Sequence, residues 1–587
     1  MTDAILARLR SHLAEAGLDG FIVPRADEHL GEYVPASAER LRRLTGFSGS
    51  AGLAIVLADR AAVFTDGRYV LQLAAQTDAA LWERRHITEE PPPLWLKQHA
   101  PAARIGYDPM LISEDGLQRF LDAGLAMVAV AANPLDAVWP DRPAPPMAPA
   151  VPYAQSGQSS ADKRDVIAAA LRESGEAAAV ITDPASLAWL LNIRGSDVDF
   201  TPFALGFGII HADASFDLVM EAAKLPPETL AWLGNAVAVH PRAAMPGLLA
   251  GLAGRRVRVD AAGAAVWFAQ TLRAAGAELV AKPDPCLLPK ACKNATERAG
   301  ARHAHARDAV AVCRFLHWLD TAAGHESELS AAARLLAMRA EAPEFRGESF
   351  PAISGAGPNG AIIHYRVSPE TDRPIGHDEV YLIDSGAQYS DGTTDITRTV
   401  WTGPNPPPDS LRDCFTRVMQ GHIAIATLVF PEGVAGAHID GFARAALWRA
   451  GLDFDHGTGH GVGSFLSVHE GPVSLARTAR PIALAEGMIL SDEPGYYQPG
   501  QYGIRLENLL LVLPAAFGAA SKRFLRFETL SLAPFDRRLL NAAMLTEAER
   551  DWLDAYHARV LAELGPQLHG AAQDWLAGAC APLRLGA

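Results

Sequence analysis

The chain has 587 residues, of which 49% are hydrophobic and 20% charged, the make-up of ordinary globular material, and its length implies about three domains rather than a single core. A formal net charge of -15 argues against a nucleic-acid or anionic-membrane partner. Five cysteines (Cys286, Cys292, Cys313, Cys414, Cys580), odd in number and without C-x-x-C spacing, point to reduced thiols and a cytoplasmic location.

The first segment, MTDAILARLRSHLAEAG, places Ile5, Leu6, Leu9 and Leu13 at helical spacing among charges, which predicts an amphipathic helix rather than a signal peptide or anchor. No run approaches the roughly 20 apolar residues of a membrane span. A strand follows at 21–23, and RIGYD (104–108) opens a strand, helix and strand that close at Asn133-Pro134. WPDRPAPPMAPAVP then brings six prolines between Pro140 and Pro152, a composition that reads as a linker. Beyond it the order repeats: a helix, a strand at 178–182, then VRVD (257–260), another helix and Asp284-Pro285. Residues 1–150 and 155–290 are therefore expected to be two related α/β domains without a metal cluster. A third, α+β domain is expected over 291–535, opening with a long helix through 297–319, and a helical tail over 536–587, with its helix at 546–564, ends the chain.

The chemistry concentrates in the third domain. An apolar run at 380–383 ends in Asp384, and Asp395 opens the β-branched run Ile396, Thr397, Thr399 and Val400, with Ser390-Asp391-Gly392 as a turn between them. This predicts a hairpin with a carboxylate on each arm, Asp391 being only a turn residue. The device recurs where 488–490 runs into Glu493 and, past a Gly/Pro/Tyr-rich turn, a strand over 503–512 carries Glu507. Arg505 stands two residues before Glu507, so one strand would put both on one face, with the guanidinium holding that carboxylate. His460 lies in HGTGHGVG, where the glycines exclude the helix an i,i+4 zinc pair needs. His456 in the same stretch is either a site residue or a loop histidine bonded to backbone. Four carboxylates and one imidazole carry more negative charge than one divalent ion requires, so the set implies two neighbouring ions and a hydrolase. Oxygen-rich donors without thiolate suit Mn(II), with Co(II) or Zn(II) as alternatives. His303, His305 and His317 read as surface or helix-face histidines far from any motif, and Cys313 as packed rather than reactive.

The ordered set Asp384, Asp395, His460, Glu493 and Glu507 resembles the metal-ligand signature of the pita-bread metallopeptidases. Within that group the chain resembles, over nearly its whole length, the large three-domain cytosolic Xaa-Pro aminopeptidases, through GFSGSAG (46–52), FTDGRY (64–69), LNIRGSD (191–197), ISGAGPNGAIIHY (353–365) and FETLSLAPFDRRLL (527–540). The resemblance implies a C-terminal pita-bread catalytic domain, release of the first residue from peptides with proline second, and a homodimer. It also implies that Asp384 chelates one ion, that His460 and Glu493 hold the other, and that Asp395 and Glu507 bridge them around an attacking water or hydroxide. Glu493 would be general base, His364 and His469 would face the scissile carbonyl, and His456 and Arg505 would complete the catalytic set. A prolidase confined to dipeptides, and a non-enzymatic binding module on the same scaffold, are the alternatives.

Overall fold

The helix expected at the N-terminus runs over Thr2–Glu15 (α1) and buries Ile5, Leu6, Leu9 and Leu13 against the first sheet. The structure, a computed structural model, describes residues 2–516 and 522–583 and divides into two units, Met1–Leu287 and Leu288–Ala587.

The first unit holds two six-stranded sheets. One contains Gly20–Pro24 (β1), Leu53–Leu57 (β2), Ala61–Thr65 (β3), Glu83–His86 (β4), Arg104–Tyr107 (β5) and Ala126–Ala129 (β6), in the order β4-β3-β2-β1-β5-β6. The other contains Ala178–Ile181 (β7), Phe207–His211 (β8), Phe216–Val219 (β9), Val237–His240 (β10), Arg256–Val259 (β11) and Glu278–Ala281 (β12), in the order β10-β9-β8-β7-β11-β12. In both, the first strand pairs antiparallel with the second and parallel with the fifth. The repeat in the sequence is thus a repeat of topology. Residues 143–150 of the proline stretch have no regular structure, and only Val151–Pro152 pairs, with Ile193–Arg194.

The second unit opens with the long helix, Ala295–Ala322 (α2), whose Asn294 cap and Glu297 satisfy each other's backbone amides. Glu328–Arg339 (α3) follows. A three-stranded antiparallel sheet is built from Ile353–Ala356 (β13), Val380–Ser385 (β14) and Ile396–Trp401 (β17), with a short hairpin, Ala387–Tyr389 (β15) and Gly392–Thr393 (β16), between the last two. A larger sheet includes Gly459–Gly461 (β18), Glu470–Leu475 (β19), Ile489–Asp492 (β20), Asn508–Ala515 (β23) and Phe524–Thr529 (β24). Between β20 and β23 sits a second short hairpin, Gly495–Gln498 (β21) and Tyr502–Arg505 (β22). The tail helix runs over Glu547–Leu564 (α4), capped by Thr546 with Glu549, and a further helix, Ala571–Ala579 (α5), was not expected. No helix of the described residues is long and apolar enough to cross a membrane. Of the two alternatives for His305, surface or helix face, the second holds: it is buried on α2, with Nδ1 bonded to the Ala301 carbonyl (2.7 Å), because the helix is covered on that side. The expected strand over 503–512 is broken at Leu506-Glu507, since β22 and β23 belong to different sheets.

Candidate metal centre

Both hairpins carry their acids where the long arms meet the short inner hairpin. β14 pairs with β17 in a register that sets Asp384 opposite Thr397, and Asp395 directly precedes β17. β20 pairs with β23 so that Asp492 faces Asn508, leaving Glu493 just past one arm and Glu507 just before the other. All four acids therefore sit at strand ends, where the backbone turns and the side chains converge. Asp391 lies apart, its carboxylate bonded by both arms of the Arg307 guanidinium (3.0 and 3.2 Å).

The break between β22 and β23 redirects Arg505. Its Nη2 donates to Asp384 Oδ2 (2.6 Å), not to Glu507, because the alternation that would align residues 505 and 507 is lost at the break. Glu507 Oε2 instead accepts from the Thr397 hydroxyl (2.7 Å), and Thr399 Oγ bonds both the N–H and the carbonyl of Arg505. Thr397 and Thr399, two apart on β17, thus clamp the second hairpin onto the first. In the sequence they stand as polar residues at alternate positions of a β-branched run, which marks them as β-formers but not as clamps.

His460 stands at the centre of β18. A Cβ at Gly459 would lie 1.9 Å from the Ser491 carbonyl oxygen, and one at Gly461 would lie 2.2 Å from that of Glu470, so only glycine lets β18 approach both neighbours. The His460 Nδ1 bonds the Gly461 carbonyl (2.9 Å), so in the neutral ring Nδ1 keeps the proton and Nε2 carries the lone pair. That Nε2 is 3.5 Å from Asp395 Oδ2 and 3.5 Å from Glu493 Oε1. Ser491 Oγ ties the two together, accepting from the His460 N–H (2.9 Å) and donating to Glu493 Oε1 (3.0 Å). The His469 ring meets His460 edge-on at 4.3 Å.

His456 reaches the cluster through a residue the sequence reading passed over, Tyr497. The Tyr497 hydroxyl accepts from Arg505 Nη1 (2.7 Å) and bonds His456 Nε2 (2.8 Å), while His456 Nδ1 bonds the Gly457 carbonyl (2.8 Å). A line of hydrogen bonds therefore runs from His456 through Tyr497 and Arg505 to Asp384. His364 follows Ile363, whose carbonyl accepts from Arg505 Nη1 (3.4 Å).

Burial and mutual repulsion strain the acids. Burial pushes the carboxyl of Asp384 up, against the pull of Arg505, and carries that of Glu507 well above the ordinary range, with Asp395, Glu493 and Asp384 adding repulsion. Glu493 is pushed up to about 7 by burial, against the attraction of His460 and Arg505. Burial alone would lower His460, but its bond to Asp395 and the charge of Glu493 raise it to about 9. Three buried oxygens, Asp384 Oδ1, Asp395 Oδ1 and Glu507 Oε1, have no hydrogen-bond partner among the described residues. Orphaned buried carboxylate oxygens are costly unless a cation faces them, and Asp395, His460 and Glu507 offer ligand atoms all within 4.8 Å of one another. The donor set fits divalent ions.

Comparison with known proteins places this geometry. The family model for metallopeptidase family M24 matches residues 299–514, that for its C-terminal region matches 523–583, and two models for creatinase/prolidase N-terminal domains match 5–129 and 141–297. Aminopeptidase P1 of Arabidopsis thaliana is 36% identical, covering 99% of this chain and 100% of its own, and a probable Xaa-Pro aminopeptidase P of Laccaria bicolor is 39% identical, covering 98% and 93%. The crystal structure of an X-prolyl aminopeptidase from Caenorhabditis elegans, described as a cytosolic enzyme with a di-nuclear active site, superposes with a TM-score of 0.93 at 31% identity, covering 99% of this chain and 100% of that one. The chain belongs to metallopeptidase family M24, in its Xaa-Pro aminopeptidase P group, with creatinase-type N-terminal domains and the pita-bread fold.

Proposed function

We propose that this metallopeptidase releases the N-terminal residue from peptides with proline in the second position, using two divalent cations held by Asp384, Asp395, His460, Glu493 and Glu507. The observation that carries the reading is the trio of buried, partnerless carboxylate oxygens on Asp384, Asp395 and Glu507, in a chain alike from end to end to aminopeptidases P. Two such cations, when bound, would supply Lewis acidity, making a water more acidic and the scissile carbonyl more electrophilic. In this reading Asp384 would hold one cation, His460 and Glu493 would hold the other, and Asp395 and Glu507 would serve both.

The chain's own residues do the rest. Gly461 fixes the His460 tautomer so that Nε2 faces the acids, and Arg505 fixes Asp384 through Oδ2 so that Oδ1 points inward. Ser491 orients Glu493 through Oε1, and Glu493 takes the proton of the attacking water as general base. His364 and His469 donate to the carbonyl oxygen as it gains charge, while the line from Tyr497 to His456 steadies the Arg505 side. The cationic α-amine of the substrate is drawn to the acids beside Asp384. A peptide bond to proline has no amide hydrogen and a fixed φ, so a nucleophile at the carbonyl and an apolar seat for the ring replace the extended-chain contacts of ordinary peptidases.

The hard oxygen donors with a single imidazole support manganese(II) as the metal, over Co(II) or Zn(II). The proposal also includes a homodimer in the cytoplasm and division of the chain at 1–150, 155–290, 291–535 and 536–587. The test is metal analysis of protein purified without added metal, with kcat/KM under Mn(II) for the tripeptides Ala-Pro-Ala, acetyl-Ala-Pro-Ala and Ala-Ala-Ala, and for the dipeptide Ala-Pro. Two cations per chain and a strong preference for the first tripeptide are expected, whereas comparable values for all three tripeptides overturn the reading, and cleavage confined to Ala-Pro would make the protein a prolidase.

A further inference from the structure

One fully buried acid takes no part in the reading above. Glu328, at the first position of α3, has no exposed surface, and burial pushes its carboxyl up. Its Oε1 accepts from the Ala356 N–H (2.7 Å) and Asn359 Nδ2 (3.0 Å). Its Oε2 accepts from Asn359 Nδ2 (3.0 Å), the Tyr365 hydroxyl (2.9 Å) and the Arg373 N–H (3.4 Å). Every one of these donors is neutral, and every one belongs to the segment 356–373, which leaves β13 through the short turn Gly357–Ala361 and carries His364.

That segment lies directly on the elements that bear the site. A Cβ on Gly503 of β22 would come within 1.8 Å of the Gly360 carbonyl oxygen, so the turn and the strand ending in Arg505 touch backbone to backbone. Tyr365 packs with Leu382, two residues before Asp384 on β14, and the Ile363 carbonyl accepts from Arg505. Beyond the turn the segment has no ladder of its own through His364; local backbone turns at Ile362 and Tyr365 shape it, and the bonds to Glu328 tie it to α3. A buried carboxylate accepting several hydrogen bonds is the strongest such bond-maker available, and losing one acceptor leaves a buried donor unmet.

We propose that Glu328 is a positioning residue: it pins segment 356–373 against β14 and β22 and thereby seats His364 beside Arg505. The effect on turnover rests on the role given to His364 under the proposed function; the effect on the segment does not. Glu328→Gln keeps the shape of the side chain but turns one acceptor oxygen into an NH2 that faces the donors of Asn359, Tyr365 or Arg373.

The experiment uses the full-length, Mn(II)-loaded protein and follows hydrogen–deuterium exchange over 353–373, metal content, and kcat and KM for Ala-Pro-Ala, with Glu328→Gln made alone and on His364→Ala. Exchange in the segment is expected to rise about tenfold and kcat to fall about tenfold, with KM within about twofold and metal content unchanged. On the His364→Ala background Glu328→Gln is expected to cost nothing further, since residues acting as a unit are non-additive. Unchanged exchange, loss of metal, or two losses that multiply would each overturn the proposal. Should Glu328→Gln fail to fold, Tyr365→Phe removes a single donor, and about a threefold loss that vanishes on His364→Ala is expected in its place. A wild-type protein inactive on Ala-Pro-Ala overturns the substrate reading instead, and exchange alone then decides for or against Glu328.

Discussion

Asp395 is the residue on which the charge balance turns. It is buried, one oxygen has no partner and the other lies 3.5 Å from His460 Nε2, so in the proposed centre it would serve both cations. Asp395→Ala should leave two dications poorly screened at short range and expel at least one, with loss of activity. Retention of two metals per chain by elemental analysis, with normal turnover, would refute the bridging role. The histidines should behave differently, because a donor to the developing oxyanion acts on rate rather than on metal. His364→Ala and His469→Ala are each expected to lower kcat about 10²-fold with metal content intact, and a change confined to KM would reduce them to pocket lining.

At the level of elements, the two hairpins and the glycine-flanked strand β18 matter more than any single ligand. Thr397 and Thr399 hold one hairpin to the other, and β18 threads close enough to β20 that the Ser491 hydroxyl can serve both His460 and Glu493. Gly459→Ala would place a methyl 1.9 Å from the Ser491 carbonyl oxygen, so β18 must move and take His460 with it. A destabilisation of about 3 kcal/mol and a weaker metal titration are expected, while Gly441→Ala, on helix Gly436–Trp448 with its nearest neighbour 3.8 Å away, should leave both unchanged or slightly improved. Equal melting temperatures for the two variants would show that β18 yields without cost.

Across the second unit, the tail is bound to the back of the strand that Asp395 precedes. Arg398 of β17 is buried and donates to the Glu507 and Ala533 carbonyls, to Asn508 Oδ1 and to the Tyr556 hydroxyl of α4. Beside it His557, buried on α4, accepts from the Phe535 N–H (3.1 Å), and burial, with the charges of Arg398 and Arg537, lowers its pKa to about 3. The folded state therefore resists protonation that the unfolded chain accepts near pH 6.5, so this contribution is complete above that pH and is lost as pH falls toward 3. Between pH 7 and pH 5 the loss amounts to about 2 kcal/mol. His557→Gln keeps an acceptor for Phe535 without the titration. The fall in melting temperature from pH 7 to pH 5 should be smaller in that variant than in the wild type, and an identical fall would remove His557 from the acid response.

The residues by themselves determined the repeated α/β order, the two acid-bearing hairpins and the five candidate ligands, because hydrophobic period, turn chemistry and residue type are local properties. Resemblance along the same sequence pointed to the family that comparison then showed. What only the tertiary structure decided is who bonds whom. Strand alternation assigned Arg505 to Glu507, but a two-residue break between sheets hands the guanidinium to Asp384 and gives Glu507 to Thr397, 110 residues away. Tyr497, Ser491 and Glu328 look in the sequence like a turn aromatic, a strand residue and a helix-start acid. Each acquires its part from a partner 31 to 41 residues distant, through bonds whose geometry no local pattern encodes. His305 reads as polar on a helix face, and only the packing around α2 makes that face an interior one.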